Sequence, residues 1–512
     1  MADTVREIER KYEPGDGTGK ARLPDLRRVK GVATVTDQGT QKLDAVYYDT
    51  EDRRLAGAHI TLRRRTGGKD AGWHLKLPVA PGVRDEIRAP LSPAVPRALT
   101  DLVRSRIRRA DLTPLVRIVS RRTVRQLFDG DGTLLAEASE DAVTADRLTR
   151  GGRTARWTEV EVELGEGADP AFLDTVERRL RKAGLCPSKA PSKLARALEE
   201  TDPAPPKAAR RRPGKPAEPT AGDHVLAYVR EQTDALLALD PAVRGRAEDS
   251  VHQMRVATRR LRSAFHTYGK VLDRKATDPI GEELKWLAAE LGVDRDREVL
   301  AERLSERLSE VDGTLVLGPV RARLRGAAAG RGKGARKRLA ALLDGDRYLT
   351  LLDTLDALLA DPPLLPAAAL PPGDVLAGAV LRDYGRLAAR VEHALTTGPG
   401  PERDTVLHDA RKAAKRVRYA AEAAQSALGK PAKRFAERMK SVQTLLGDHQ
   451  DSVMARTALR TLAAEAHAAG ESTFTLGLLY GREERRAAED ERELPGLWRK
   501  VSRKRYREAL GA

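Results

Sequence analysis

An eleven-residue pattern occurs twice in this chain and forces a duplicated architecture on its second half. Val251-His252-Gln253-Met254-Arg255 continues to Arg259-Arg260-Leu261-Arg262, and Leu407-His408-Asp409-Ala410-Arg411 continues to Lys415-Arg416-Val417-Arg418. Both copies follow the template H-x-x-R-x-x-x-(R/K)-R-x-R. At about 100° per residue, His252, Arg255, Arg259 and Arg262 fall within roughly 80° of one another on a helix. Met254, Ala257, Leu261 and Phe265 take the opposite face. In the second copy His408, Arg411, Lys415 and Arg418 form the charged stripe, backed by Ala410, Ala413, Val417 and Ala421. The apolar stripes suit burial in a bundle. The cationic stripes place like charges on neighbouring turns, where they repel unless an anion or carboxylates lie among them.

A lone basic helix is ordinarily a solvated surface. Recurrence of the same residues in the same order, histidine included, argues instead for two related surfaces facing a polyanion. One histidine per template, with no cysteine or carboxylate at ligand spacing, disfavours zinc. The duplication extends further. Leu291-Gly292-Val293-Asp294-Arg295-Asp296 echoes Leu446-Gly447-Asp448-His449-Gln450-Asp451, and Lys285 and Lys440 precede these at matching distance. The repeat is therefore a multi-helix module, too long for a solenoid repeat.

Over roughly the last three-fifths of the chain these residues resemble the CHAD domain, the conserved-histidine α-helical domain. The resemblance implies two similar helical bundles and binding of inorganic polyphosphate at a basic central surface. Carried over by motif position, the binding residues would be His252, Arg255, Arg259, Arg262, His408, Arg411, Lys415 and Arg418, joined by Lys285 and Lys440.

At 512 residues the chain is too long for a single core, and two or three domains are expected. Its 93 Lys and Arg outnumber 75 Asp and Glu, for a net charge of +18, which favours anionic partners. Aromatic residues make up only 4%, and neither basic helix interleaves them on its charged face. Single-stranded nucleic acid is usually held by stacking as well as charge, so nucleic acid is disfavoured as a partner. A single cysteine, Cys186, excludes an intramolecular disulfide framework. The N-terminus is charged at once and lacks an apolar signal core, and no segment approaches the length of a membrane span. The expectation is a cytoplasmic protein, with association to polyphosphate granules if polyphosphate is the ligand.

The segment Thr201 to Gly222 is rich in proline and basic residues and nearly free of large apolar side chains, as a semi-extended linker is. Its Arg210-Arg211-Arg212 run is best read as solvated. Before it the texture is β-like, with alternating segments near 5–12, 42–49, 59–66, 73–78, 116–126 and 157–164. Turns are marked by Gly67-Gly68 and Asp129-Gly130-Asp131-Gly132, and helices by 97–109 and 170–183. After the linker, Ala/Leu/Arg/Glu segments of helical period dominate. Pro362-Pro363 through Pro371-Pro372-Gly373 separates the two repeat halves. The expected fold is α+β. A β-rich domain over 1–200 and a linker over 201–221 precede an all-α domain over 222–512, with halves of about 222–360 and 374–512.

In the first strand Glu7, Glu9 and Lys11 share a face. In Trp157-Thr158-Glu159-Val160-Glu161-Val162-Glu163-Leu164 the valines oppose a row of Glu159, Glu161 and Glu163. Three carboxylates on one strand face repel unless a divalent cation or basic groups lie among them. Arg63 and Arg65 share a face opposite Leu62, Lys76 lies between Leu75 and Leu77, and Arg117, Arg121 and Arg125 align on a further strand. An open antiparallel sheet with a salt-bridged solvent face explains any one of these strands. Open sheets usually intersperse both signs, however, and these strands segregate them. A closed sheet with a charged interior and an apolar outside covered by helices fits them better.

This set resembles the CYTH superfamily of triphosphate tunnel metalloenzymes. Its signature E-x-E-x-K is met by Glu7, Glu9 and Lys11. Supporting matches are Tyr48-Asp49-Thr50, Leu62-Arg63-Arg64-Arg65, Trp73-His74-Leu75-Lys76-Leu77, Glu159 to Leu164 and Ser192-Lys193-Leu194. Joining this domain to a CHAD domain is an arrangement known for the family. The resemblance implies an eight-stranded antiparallel tunnel with flanking helices that holds Mg²⁺ or Mn²⁺ on acidic residues and a triphosphate on basic ones. The metal side would comprise Glu7, Glu9, Glu161 and Glu163, with Asp141 and Glu159 as additions. The phosphate side would comprise Lys11, Arg63, Arg65, Lys76, Arg117, Arg121 and Lys193, and Glu7, Glu9, Lys11 and Lys76 would carry catalysis. Arg84 and Glu86 resemble a further R-x-E pair. The implied activity is metal-dependent hydrolysis of inorganic triphosphate or polyphosphate, with polyphosphate binding by the helical domain. The alternatives are a non-catalytic polyphosphate-binding protein, or a tunnel that cyclises ATP or hydrolyses thiamine triphosphate. Oligomeric state, metal identity and chain-length preference stay open.

Overall fold

In a computed structural model the chain divides into two compact units, 1–212 and 213–512. The structure describes residues 3–15, 20–68, 70–149, 152–202, 218–245, 247–329 and 332–511. Most of the basic linker, including Arg210-Arg211-Arg212, lies outside them, as do the side chains of Asp294 and Arg295.

The N-terminal unit is a closed barrel. Its strands are β1 (Asp3–Pro14), β2 (Thr34–Asp49), β3 (Thr61–Thr66), β4 (Gly72–Ala80), β5 (Val83–Ala89), β6 (Thr113–Phe128), β7 (Leu134–Arg147) and β8 (Thr154–Leu164), with a short β9 (Leu185–Pro187) added to β1. Around the ring the order is β5-β4-β3-β2-β6-β7-β8-β1, and an antiparallel β1–β5 pairing closes it. The expected eight-stranded antiparallel tunnel is thus present. β5 and β7 were not legible from alternation alone, and β2 begins earlier than its alternating segment.

Alternation puts one face of each strand inside the ring and the other outside. Outside, Tyr12, Val160 and Val162 pack under Leu173, Val176 and Leu180 of the Ala171–Lys182 helix. Leu62, Trp73, Leu75 and Ile87 pack under Leu99, Val103 and Ile107. Inside, the barrel is divided along its length. At one end Val116, Ile118, Val143, Ala155 and Trp157 form an apolar plug with Leu194, Ala197 and Leu198 of the helix Lys193–Thr201. Beyond the plug the same strand faces turn polar and enclose a cavity.

The second unit is all helix. The first template lies on Ser250–Thr267, between the helices Ala221–Gly245 and Arg274–Ser309. The second lies on Pro401–Ala423, between Pro372–Thr396 and the long helix Lys430–Ala468. Phe474–Val501 packs beside that long helix. Met254, Leu261 and Phe265 from one template helix share a single core with Ala410, Ala413 and Val417 from the other. The two halves are therefore fused along their template helices. Tyr268 Oη also donates to the Ala420 carbonyl at 2.7 Å across the seam. No described helix is long and apolar enough to cross a membrane.

Candidate functional site

The barrel cavity has a volume of about 340 Å³. Glu7, Glu9, Lys11, Arg63, Arg65, Lys76, Glu161, Glu163 and Lys193 all line it, together with Arg84, Glu86, Arg88 and Arg122. β1 delivers Glu7, Glu9 and Lys11 by period two, and β8 delivers Glu161 and Glu163 the same way, with Glu9 and Glu163 directly opposite in register.

Asp141, Glu159 and Glu161 converge, with one carboxylate oxygen from each within 4.8 Å of the others. Hard oxygen donors of this kind suit a divalent cation. In this structure, however, the Lys193 ammonium lies among them, at 2.9 Å from Asp141, 2.7 Å from Glu159 and 2.6 Å from Glu161. Burial disfavours its charge, but the three carboxylates outweigh burial and hold Lys193 well above the usual lysine range. Trp157 Nε1 fixes the far oxygen of Glu159 at 2.7 Å. Glu161 also pairs with Lys11 and Arg122.

Glu163 differs. Among the described residues it has no ion-pair partner, and it stands beside Glu9. Burial, reinforced by Glu7, Glu9 and Glu161 and only partly offset by Lys76, pushes its carboxyl up to about 7. Glu9 has the opposite balance. Burial opposes its charge, but Lys11, Lys76 and Arg84 win and bring it down to about 2. Glu7 is raised by burial even though Lys76 pairs with it. The carboxylates with the least cationic compensation are thus Glu7 and Glu163, next to Glu9. Glu7, Glu9 and Glu163 line the cavity, but among the described residues of the barrel the acidic group close enough to share one cation is Asp141, Glu159 and Glu161.

The basic side is likewise incomplete. Arg63 Nη2 reaches Glu86 at 3.4 Å and Arg63 Nη1 reaches Tyr47 Oη at 3.3 Å, while Arg65 pairs with Asp70. The Nε donors of both arginines are buried without a hydrogen-bond partner. Burial, with Arg63 and Arg122 close by, brings Arg65 down to about 9. An anion in the cavity would relieve both conditions.

Two expected residues fall elsewhere. Arg117 and Arg121 lie exposed on the outer face of β6, Arg117 paired with Asp44. The inner face of β6 carries Val116, Ile118, Ser120, Arg122, Val124 and Gln126 instead. Its apolar start belongs to the plug, so the strand's most charged face is the solvent face. Arg122 is the tunnel arginine of this strand, two-pronged to Asp141 at 2.9 and 2.7 Å. The sequence signal for it is an arginine on the strand face that begins with Val116 and Ile118. Arg84 and Glu86, the loose R-x-E pair, do line the cavity. His74 and Arg88 were missed. His74 Nδ1 and Arg88 Nε both reach Glu86, at 3.0 and 2.6 Å.

In the helical unit the template residues keep one face but differ in partners. His252 is exposed and His408 half-buried, with burial, then Lys412 and Arg411, lowering the His408 pKa. Arg255 is buried and bonded to both oxygens of Asp296 at 2.6 and 3.1 Å. Its counterpart Arg411 stands 3.8 Å from Asp451. The L-G-x-x-x-D echo is thereby explained. Its glycine makes room for the template arginine, and its aspartate faces that arginine. Arg418 donates to Glu422 at 2.8 Å and to Gln443 at 3.0 Å. Burial, then Arg411 and Arg259, brings Lys415 down to about 7. Lys285 and Lys440 are exposed, Lys285 paired with Glu282 at 2.9 Å.

Comparison with known proteins gives the same division. A CYTH domain model matches residues 5–198 and a CHAD domain model matches 227–460. Two uncharacterized proteins of Mycobacterium tuberculosis, from strains CDC 1551 and H37Rv, are each 40% identical over 516 residues, spanning 97% of this chain and 96% of the relative. Among solved structures, PptA from Streptomyces chartreusis is similar at 23% identity and a TM-score of 0.47, covering 55% of this chain and 100% of its own. The CHAD domain from the plant Ricinus communis is similar at 22% identity and a TM-score of 0.45, covering 57% of this chain and 95% of its own. HpAC1 from Hippeastrum, described as having a dominant triphosphatase activity, is similar at 16% identity and a TM-score of 0.24, covering 39% of this chain and 98% of its own. The chain belongs to the family of proteins that join a CYTH domain to a CHAD domain.

Proposed function

We propose that the barrel hydrolyses inorganic triphosphate or the end of a polyphosphate chain with the help of Mg²⁺ or Mn²⁺, and that the helical domain binds polyphosphate. The observation that carries this reading is a cavity in which both signs lack a partner. Arg63 and Arg65 keep buried Nε donors unpaired, while Glu163 lines the same cavity without an ion-pair partner among the described residues, its carboxyl pushed up to about 7 by burial. A metal–triphosphate complex supplies what each side lacks.

In this reading Glu7, Glu9 and Glu163 would hold the metal. It would polarise the phosphoanhydride or activate the attacking water when bound. Arg63 and Arg65 grip terminal phosphoryl oxygens. Lys11 and Lys76, tied to Glu161 and Glu7 in the free protein, would supply positive charge to phosphoryl oxygens of a bound triphosphate. Lys193 and Arg122 keep Asp141, Glu159 and Glu161 charged and fixed, giving the cavity a rigid wall. Catalysis then rests on orientation and charge neutralisation within the barrel cavity.

One observation favours a binding-only tunnel. The ammonium groups of Lys11, Lys76 and Lys193 are all ion-paired with carboxylates. A phosphate-release panel over tripolyphosphate, long-chain polyphosphate, ATP and thiamine triphosphate, each with Mg²⁺ and Mn²⁺, separates these readings. Release from tripolyphosphate that Glu7→Gln and Glu163→Gln abolish is expected. No release from any of the four would leave binding alone, and preference for ATP or thiamine triphosphate would transfer the tunnel to organic substrates.

A further inference from the structure

The duplicated template suggests two equivalent anion-binding stripes, but the side chains break that equivalence. In the first copy Arg255 is clamped by Asp296, while Arg259 and Arg262 have no hydrogen-bonded or ion-paired carboxylate among the described residues. In the second copy Arg418 is held at both ends by Glu422 and Gln443, while Lys415 has no such partner and Arg411 makes only a long ion pair with Asp451, at 3.8 Å and without a hydrogen bond. Glu422 also takes Arg260 from across the seam, at 3.1 Å. The pinned positions are therefore the fourth of one copy and the last of the other.

Arg259, Arg411 and Lys415 meet where the template helices pack together. Arg259 feels the charges of Arg255 and Arg411, and Lys415 those of Arg411 and Arg259. Cations crowded in this way repel and bind an anion more strongly than cations already matched by carboxylates.

Resting on the polyphosphate reading above, we infer that Asp296 and Glu422 act as internal anions that withhold Arg255 and Arg418. The polyanion is then held by one asymmetric site made of Arg259 from the first template helix and Arg411 and Lys415 from the second. Asp296 and Glu422 are positioning residues. They decide which of eight similar cations touch the ligand, and they convert a duplicated sequence into a single composite site. His252 and His408 flank it without being required for the charge match.

The test uses the full chain and long-chain inorganic polyphosphate, without divalent metal so that turnover is absent, and reads the salt dependence of binding. Each cation that neutralises a phosphate adds about 0.7–0.9 to the slope of log affinity against log salt. Arg259→Ala and Arg411→Ala should each lower that slope by nearly one unit, Arg255→Ala and Arg418→Ala by a small fraction of that, and Asp296→Asn should raise it. Equal losses for Arg255→Ala and Arg411→Ala would overturn the inference. A second measurement needs no ligand. Phenylglyoxal modification of the free protein, mapped by peptide mass, should label Arg259 and Arg411 several-fold faster than Arg255 and Arg418. Equal labelling rates overturn the partition whatever the chain binds. The expected labelling pattern without polyphosphate binding would instead keep the partition and remove polyphosphate as the ligand.

Discussion

Arg122 grips Asp141 with two parallel hydrogen bonds, 2.9 Å from Nε and 2.7 Å from Nη2, at a position where β6 and β7 pair these two residues directly. Asp141 is fully buried, so its charge depends on this fork and on Lys193. Arg122→Ala removes half of that support and also frees Glu161 from one of its partners. Breaking a buried pair by deleting one partner costs about 3–5 kcal/mol, and the remaining Lys193 contact places the expected loss near the lower end. Arg117→Ala and Arg121→Ala, on the outer face, should change stability by less than about 0.5 kcal/mol. Urea unfolding of the three variants measures this. Phosphate release should fall with Arg122→Ala alone.

That contrast shows what the sequence could and could not disclose. The E-x-E-x-K strand and the Glu159–Glu163 row were legible because charge and valine alternate cleanly there and one environment runs along the whole strand. β6 is longer and crosses two interiors, an apolar plug and then a polar cavity. Its inner face therefore starts with Val116 and Ile118, while its arginines of regular spacing face solvent. β7 escaped alternation for a similar reason, since Ala136 and Ala138 face the outer helix and Val143 and Ala145 face the plug. In the helical unit the template gave the charged face, but partner choice depends on residues about forty positions away. Asp296 and Asp451 sit in equivalent places in the sequence and at unequal distances from their arginines in space.

Glu163 makes the metal-free protein sensitive to pH. Burial and the neighbouring carboxylates push its folded carboxyl up to about 7, above the ordinary glutamate value of 4.5. Between these values the folded state binds a proton that the unfolded state has released, so stability falls as pH rises from about 4.5 through about 7. Glu163→Gln should flatten that part of the profile in denaturant titrations at a series of pH values. If Glu163 holds the cation, Mg²⁺ or Mn²⁺ binding expels its proton. Calorimetry below pH 7 should then show proton release that the variant lacks. A variant with the wild-type pH slope would remove Glu163 as its source.

Lys415 predicts a proton moving the other way. In the free protein it titrates near 7, because burial and the neighbouring Arg411 and Arg259 disfavour its charge. A bound polyanion favours the charged form. Binding above pH 7 should therefore take up as much as one proton per chain, and affinity should weaken as pH rises above about 7. Calorimetry in buffers of different ionisation enthalpy measures the uptake. Lys415→Arg, which stays charged, should bind without uptake and keep its affinity to higher pH. Uptake that persists in this variant would assign the proton to another group.

Gly292 and Gly447 test the inequality of the two halves at the level of one methyl group. A Cβ at Gly292 would lie 2.8 Å from Arg255 Cζ and Nη2, whereas at Gly447 it would lie 3.5 Å from Arg411 Nη2, an ordinary contact. Replacing a mid-helix glycine by alanine stabilises a helix by about 0.5–1 kcal/mol when nothing has to move. Gly447→Ala should show that gain in urea unfolding. At Gly292 the guanidinium must swing off Asp296, which is 69% exposed, so the lost pair amounts to less than about 1 kcal/mol and roughly cancels the helix gain. Gly292→Ala should therefore leave stability nearly unchanged while raising phenylglyoxal labelling of Arg255 toward that of Arg411. If both substitutions stabilise equally and Arg255 stays protected, the close approach at Gly292 is not what seats this arginine on its aspartate.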